Sequence, residues 1–344
     1  MASLYDLIAD AETLLPERQQ ILNCISTAAI PESHQQRRTV ICRAVQFGYL
    51  PSGTVLHAAH NCVFSVDNEP IDELLIHGMR GPSPDVEPPR PDMRTVVNID
   101  EDCVLLTRYG YGTWGHWLGE IVPQVAVLEA FYPGRFRYAV PQHDEDWYRR
   151  RILQTLTYYG IHEDRIIWVK IGGGPFVFPR ARIVTPIWSG HTPHPFAISL
   201  MRHRIRMRPI ARVGLLRSDW HTRQIVNLNE VRKVLEAHGF YVTDTAGMDF
   251  EQQIDLFAST SHLFGILGSG LTGLIYAPDQ ISVFAGAPLK WNDGFFHGIA
   301  QQRPCARWTE LRGQSEWDGR TGLMRDAPFV IPIKDLEAAL QWSG

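Results

Sequence analysis

No stretch of this 344-residue sequence approaches the roughly 20 consecutive apolar residues that cross a bilayer. The opening MASLYDLIADAETLLPERQQ lacks a basic segment leading into an apolar one, so no signal peptide is expected. The five cysteines (Cys24, Cys42, Cys62, Cys103, Cys305) are odd in number and scattered. They form neither a metal pattern nor a disulfide framework, which points to a reducing, cytoplasmic setting. A net charge of −4 gives no footprint for a nucleic-acid partner. Repeats and low-complexity tracts are also missing.

What is present suits a soluble globular chain. Hydrophobic residues make up 44% of it and there are ten Trp, enough for large cores. The length exceeds one typical domain, so two are expected. Residues 79–94, rich in proline and charge, read as an exposed loop. A second shift at 186–212 carries four prolines and an arginine cluster. It sets the boundary between an N-terminal domain, 1–200, and a C-terminal domain, 201–330, with 331–344 as a C-terminal helix. Arg202, Arg204, Arg206 and Arg208 alternate with apolar residues there and read as a solvated face.

The second half alternates strands with helices. RVGLLRS reads as a buried strand, and NEVRKVLEAHG as a helix with Val231, Val234 and Leu235 on one face. FYVTDT is a strand. Asp249 and Gln252 form a capping-box pattern before a helix whose Phe250, Ile254 and Phe257 face inward. HLFGIL and ISVFAG are further strands, separated by a short helix, LTGLIYA, that Pro278 ends. Such alternation implies a parallel, doubly wound sheet.

Within it, FGILGSGLTGLIYAP spaces Gly268, Gly270 and Gly273 as G-x-G-x-x-G. A dinucleotide fingerprint sits on the first strand of its domain, with an acid about 20 residues on. Here the glycines follow the third strand, and ISVFAG ends with no carboxylate. The pattern therefore favours another diphosphate, held by N–H groups at Ser269 to Thr272, over NAD or FAD and over packing alone.

Three stretches, the arginine segment before this loop, the loop itself and an earlier HWLGE run, resemble glycosyltransferase family 61. Arg217, Arg223, Asn229 and Glu230 match its R…R…N-E-x-x-[LV] segment, and L-G-S-G-L-T-G resembles its H-G-A-G-L-T-N loop. YGTWGHWLGEIVPQ is similar to N-x-x-H-W-L-x-E-x-x-P, with His116, Trp117, Leu118, Glu120 and Pro123 in register. The resemblance implies a GT-B architecture, two Rossmann-like doubly wound domains facing across a cleft. It implies inverting transfer from a nucleotide-sugar, a UDP-sugar in the family's common case, to a glycan or polysaccharide acceptor, with no cofactor. The donor would lie on Arg217, Arg223, Asn229, Glu230, Gly268, Ser269, Gly270, Leu271 and Thr272. Four positions depart from the pattern: Thr113 for Asn, Leu267 for His, Gly273 for Asn, and Ala285 near a usual Glu. These departures keep two alternatives in view, a catalytically silent binding member and a transferase using another activated group.

The chemistry asks for a base on the acceptor hydroxyl and a charge sink for the leaving diphosphate. Arginines at the carboxyl edge of a sheet supply the second, since a guanidinium binds phosphate bidentately. His116 and Glu120, four apart, share a face if HWLGE is helical and supply the first. Trp114 and Trp117 read as core. HDEDW contains a D-x-D, a metal signature of another glycosyltransferase fold. Its acids directly precede a helix, however, where the dipole favours carboxylates, and metal-independent transfer is expected. His191 and His194 in HTPHP are spaced loosely for a metal and read as structural. Peripheral membrane contact and oligomeric state are not legible.

Overall fold

The structure is a computed structural model. It describes residues 5–9, 12–14, 21–23, 40–42, 44–50, 52–57, 62–67, 69, 71, 90–106, 112–170, 174–189, 192–217, 222–289, 291, 293–303, 305–315 and 326–341. His191, Cys24 and most of the proline-rich loop lie outside the described residues. The chain divides into two compact units, Met1–Leu14 with Val40–His203 and Leu15–Thr39 with Arg204–Gly344. An N-terminal segment thus belongs with the C-terminal unit, to which it contributes a strand, Ile21–Asn23. The final helix, Ile333–Gln341, is part of the same unit and packs through Leu336, Ala339 and Leu340 into its core. Among the described residues no helix is long and apolar enough to cross a membrane.

The C-terminal unit is a six-stranded sheet in which every pairing is parallel. The strands run, in spatial order, Tyr241–Thr243, Ala211–Leu215, Thr260–Ile266, Ser282–Pro288, Arg307–Gly313 and Ile21–Asn23. Counting from Ala211, the first five stand in the order 2-1-3-4-5, that of a doubly wound sheet with its switch point between strands 1 and 3. Helix Leu228–Ala237 buries Val231 and Leu235 against that sheet. In helix Phe250–Ala258 both capping-box bonds form: Asp249 Oδ1 accepts from Gln252 N at 2.8 Å and Gln252 Oε1 from Asp249 N at 2.9 Å.

The expected short helix after the third strand is a 3₁₀ segment, Ser269–Tyr276. Its end is held by Arg303, only 1% exposed, which donates to the carbonyls of Ile275, Ala277 and Ile299. Carbonyls orphaned at helix ends are thereby satisfied.

The N-terminal unit departs from the doubly wound reading. In its larger sheet, Ala181–Val184, Cys103–Leu105, Arg137–Gln142 and Ile166–Lys170 run parallel. Val45–Tyr49 and Tyr5–Ala9 add antiparallel strands at one edge. A four-stranded sheet, rather than a layer of helices, covers one face. Its Leu56, Val63, Phe176 and Phe178 pack on Cys103, Leu105, Ala139, Val169 and Ala181 of the larger sheet. Short β-branched and aromatic runs such as TVLH and PFVF suit that pleated cover better than a helix.

Gly273 shows how tightly the second unit is built. A Cβ there would stand 2.0 Å from the Phe257 ring, so the helix packs on bare backbone. Gly273→Ala should lower stability by about 1–3 kcal/mol, the cost of overpacking. Paired with Phe257→Leu it should cost less than the sum of the two single losses in denaturant unfolding, because the residues share one contact.

Candidate active site

The site grows from the carboxyl ends of strands 1 and 3 of the C-terminal unit, where open α/β sheets bind ligands. Arg217 leaves the first strand two residues after Leu215, and Gly268 the third two residues after Ile266. Gly268 has φ +157 and ψ 174, backbone that is essentially glycine's alone. A Cβ on it would lie 3.0 Å from Arg217 Nη2 and 3.2 Å from Arg223 Nη2. Two guanidiniums therefore converge on one glycine. Arg217 also lies near Gly270, whose Cβ would stand 3.6 Å from Nη2.

Holding two like charges together has a cost that appears in Arg217. Burial, together with the Arg223 charge beside it, presses its guanidinium down to about 10, while Asp244 acts the other way. Arg217 still carries its charge at neutral pH, and a bound anion would relieve the repulsion.

Arg223 is held from several sides. It is the one non-glycine residue with positive φ among those described, at 56°, a conformation that persists only when its surroundings impose it. Its N–H donates to Asp326 O at 2.9 Å, and its Nη1 lies 3.3 Å from Asp326 Oδ1. Its guanidinium stacks on Trp291, 4.8 Å from the ring centroid. Trp291 is fixed in turn by Arg312, which donates to its carbonyl. Arg312 is paired with the fully buried Glu310, whose other oxygen accepts from Trp308 Nε1 at 3.0 Å. The sequence marked none of Asp244, Trp291, Asp326 or Arg312. They lie up to about a hundred residues from Arg223, and the period-2 alternation of Trp308, Glu310 and Arg312 on one strand face was the only available signal.

The other named residues fall into place around this pair. Ser269 and Gly270 open the 3₁₀ turn, where the first amides have no intrahelical acceptor. Leu271 does not offer its amide, because its N–H donates to Gly268 O at 2.8 Å and its side chain is core. Thr272 is buried, and its hydroxyl has no hydrogen-bond partner among the described residues. Asn229 and Glu230 sit exposed in the first turn of helix Leu228–Ala237. Glu230 accepts from Asn227 Nδ2 at 3.3 Å, while Asn227 ties the helix start to Ile331 through bonds of 2.9 and 3.0 Å. Leu267 and Ala285, two of the departures, are fully buried.

In the N-terminal unit the HWLGE segment is helical but not uniformly α. Trp114–His116 runs into a π turn, Trp117–Ile121, and then into helix Val122–Phe131. Pro123 supplies the reason: it has no N–H to give Gly119 O, the acceptor four residues back. Trp188 Nε1 donates to that carbonyl instead, at 2.5 Å. Widened turns of this kind gather at functional sites. Here His116 Nδ1 stands 3.1 Å from Glu120 Oε1. The His116 side chain is 42% exposed and that of Glu120 only 2%. Trp117 is core, its Nε1 on Thr155 Oγ1 at 2.9 Å, while Trp114 is half-buried beneath Arg151. Thr113 takes the N-cap position without a capping side-chain bond.

Asp144, Glu145 and Asp146 are exposed at the start of helix Asp146–Tyr158, with Glu145 as N-cap and no side-chain capping bond. Their role there is charge against the dipole rather than a cap in the strict sense. His194, fully buried, accepts from Phe196 N at 3.2 Å and so starts a helix.

The family described as Glycosyltransferase 61 matches the chain over residues 114–284, from the His116 helix through the glycine loop. The chain belongs to glycosyltransferase family 61. No curated protein matches it. Membership gives the two constellations a shared context, glycosyl transfer from a donor to an acceptor.

Arg217→Met should weaken binding of a nucleoside diphosphate by about 1.5–3 kcal/mol, the worth of hydrogen bonds to a charged group. The same change removes a buried charge beside Arg223, so the ligand-free protein should unfold at equal or higher denaturant concentration. Calorimetry and urea unfolding of the same variant check the two opposed effects.

Proposed function

We propose an inverting, metal-independent glycosyltransferase of the GT-B type that moves a sugar from a nucleoside-diphosphate donor to a hydroxyl of a glycan or polysaccharide. The observation that carries this reading is the convergence of Arg217 and Arg223 on Gly268 at the switch point of a doubly wound sheet. A fixed pair of guanidiniums neutralises charge that develops on a departing diphosphate, with no reorganisation when the bond breaks.

His116 is the base in this reading. Glu120, as a carboxylate, can only accept, so Nδ1–H points to it and Nε2 keeps its lone pair. The more exposed partner of the pair is the histidine, the one a bulky acceptor can reach. The acceptor hydroxyl gives its proton to Nε2, its oxygen bonds to the anomeric carbon, and the bond from that carbon to the diphosphate breaks. The electron pair leaves with the diphosphate, onto Arg217 and Arg223. Glu120 steadies the imidazolium that results, as an orienting carboxylate does in other His-based sites. Ser269 and Gly270 add amides to the phosphate side, and Asn229 and Glu230 lie on the helix that follows Arg223.

The buried, apolar Leu267 stands where the resemblance puts a His, and Ala285, also buried, lies near a usual Glu; both departures favour the silent-binder alternative, which a turnover assay separates. His116→Ala should leave donor affinity unchanged while transfer falls about 10²–10⁴-fold, the usual contribution of general base catalysis. Glu120→Gln should fall in the same direction, and the double variant should be little worse than His116→Ala alone. Unchanged turnover in His116→Ala would move the base elsewhere. Donor binding with no release of nucleoside diphosphate by the parent protein would make the chain a binder.

A further inference from the structure

The crevice at the carboxyl edge of the C-terminal sheet holds a group that diphosphate binding does not use. Leu215, Arg217, Asp244, Thr245, Ile266 and Gly270 line it. Asp244 directly follows the strand Tyr241–Thr243, neighbour of Ala211–Leu215, and the register pairs Thr243 with Leu215. Leu216 N donates to Thr243 O at 3.0 Å, so the chains leading to Arg217 and Asp244 diverge from one ladder rung. Ala246 N donates to Asp244 Oδ1 at 2.7 Å, a local turn that fixes the carboxylate at the rim.

A carboxylate beside a diphosphate site repels the phosphates unless it faces hydrogen-bond donors. The ligand must then present anionic oxygens to Arg217 and hydroxyl donors to Asp244, within one crevice. A nucleoside diphosphate does so, because its ribose carries two vicinal hydroxyls next to the phosphate arm. Recognition of ribose by an acid after the second strand is a known use of doubly wound sheets.

We propose that Asp244, with Thr245 beside it, is the ribose subsite of this crevice and makes the protein select ribonucleoside diphosphates over forms lacking the ribose hydroxyls. The proposal rests on the diphosphate reading above. Asp244 also tempers the mutual repulsion of Arg217 and Arg223 when the site is empty, so one side chain serves both the empty and the filled crevice.

The test crosses three ligands with three proteins by calorimetry. UDP, GDP, CDP and ADP are titrated first; the tightest is then compared with its 2′,3′-dideoxy form and with inorganic pyrophosphate. The parent should prefer the ribonucleotide over the dideoxy form by about 10- to 150-fold, as hydrogen bonds to a charged group allow. Asp244→Asn keeps an oxygen for Ala246 N but removes the charge. It should lose most of that preference and yet bind pyrophosphate as tightly as the parent or more tightly. Asp244→Ala should behave alike. Equal binding of the two nucleotides by the parent overturns the proposal. So does a parallel loss of nucleotide and pyrophosphate in Asp244→Asn, which would make Asp244 a structural support of the phosphate site. If neither the nucleotides nor pyrophosphate bind the parent, it is the diphosphate reading itself that fails.

Discussion

Two positive charges pressed against one glycine govern the C-terminal unit. Arg217 and Arg223 approach each other because Gly268 has no Cβ to hold them off, and its backbone occupies a region other residues avoid. Everything near this point supports an arrangement that is unfavourable when empty. Trp291 lies under Arg223, Asp326 accepts from its backbone and faces its side chain, and Asp244 lines the same crevice as Arg217. The buried Glu310–Arg312 pair reaches the same place through the Trp291 carbonyl. On the proposed reading such a site stores repulsion that a bound diphosphate would release, at a cost in stability to the ligand-free protein.

The N-terminal constellation follows a different logic. There a missing donor, the absent N–H of Pro123, opens the helix into a π turn, and Trp188 takes up the carbonyl left over. The result sets an exposed imidazole on a buried carboxylate at 3.1 Å. Both constellations depend on a local defect, one in side-chain volume and one in backbone hydrogen bonding, that the surrounding fold repairs.

Much of this was legible from residue order. The capping box at Asp249 and Gln252, the strands flanking the glycine loop and the His116–Glu120 pairing all follow from short-range periodicity. Short-range patterns failed where long-range pairing decides. The strand Ile21–Asn23 joins a sheet built almost 200 residues later, and the pairing that makes the antiparallel edge and second sheet of the N-terminal unit is not written in local composition. Of the glycines, only the structure separates Gly268, needed for arginine approach, from Gly273, needed for Phe257. Asn229 and Glu230 matched a motif, yet Asn227 is the residue that anchors the helix start.

The central claim is that the arginine pair is a receptor for a diphosphate. The most direct measurement is the thermal midpoint of the parent protein with millimolar inorganic pyrophosphate, against sodium chloride at matched ionic strength. A ligand at 100 times its Kd adds about 2.7 kcal/mol to the folded state, so the midpoint should rise by several degrees with pyrophosphate alone. It should not rise in the Arg217→Met, Arg223→Met double variant. Equal midpoints in the two salts, or an equal rise in the parent and the double variant, would contradict the account.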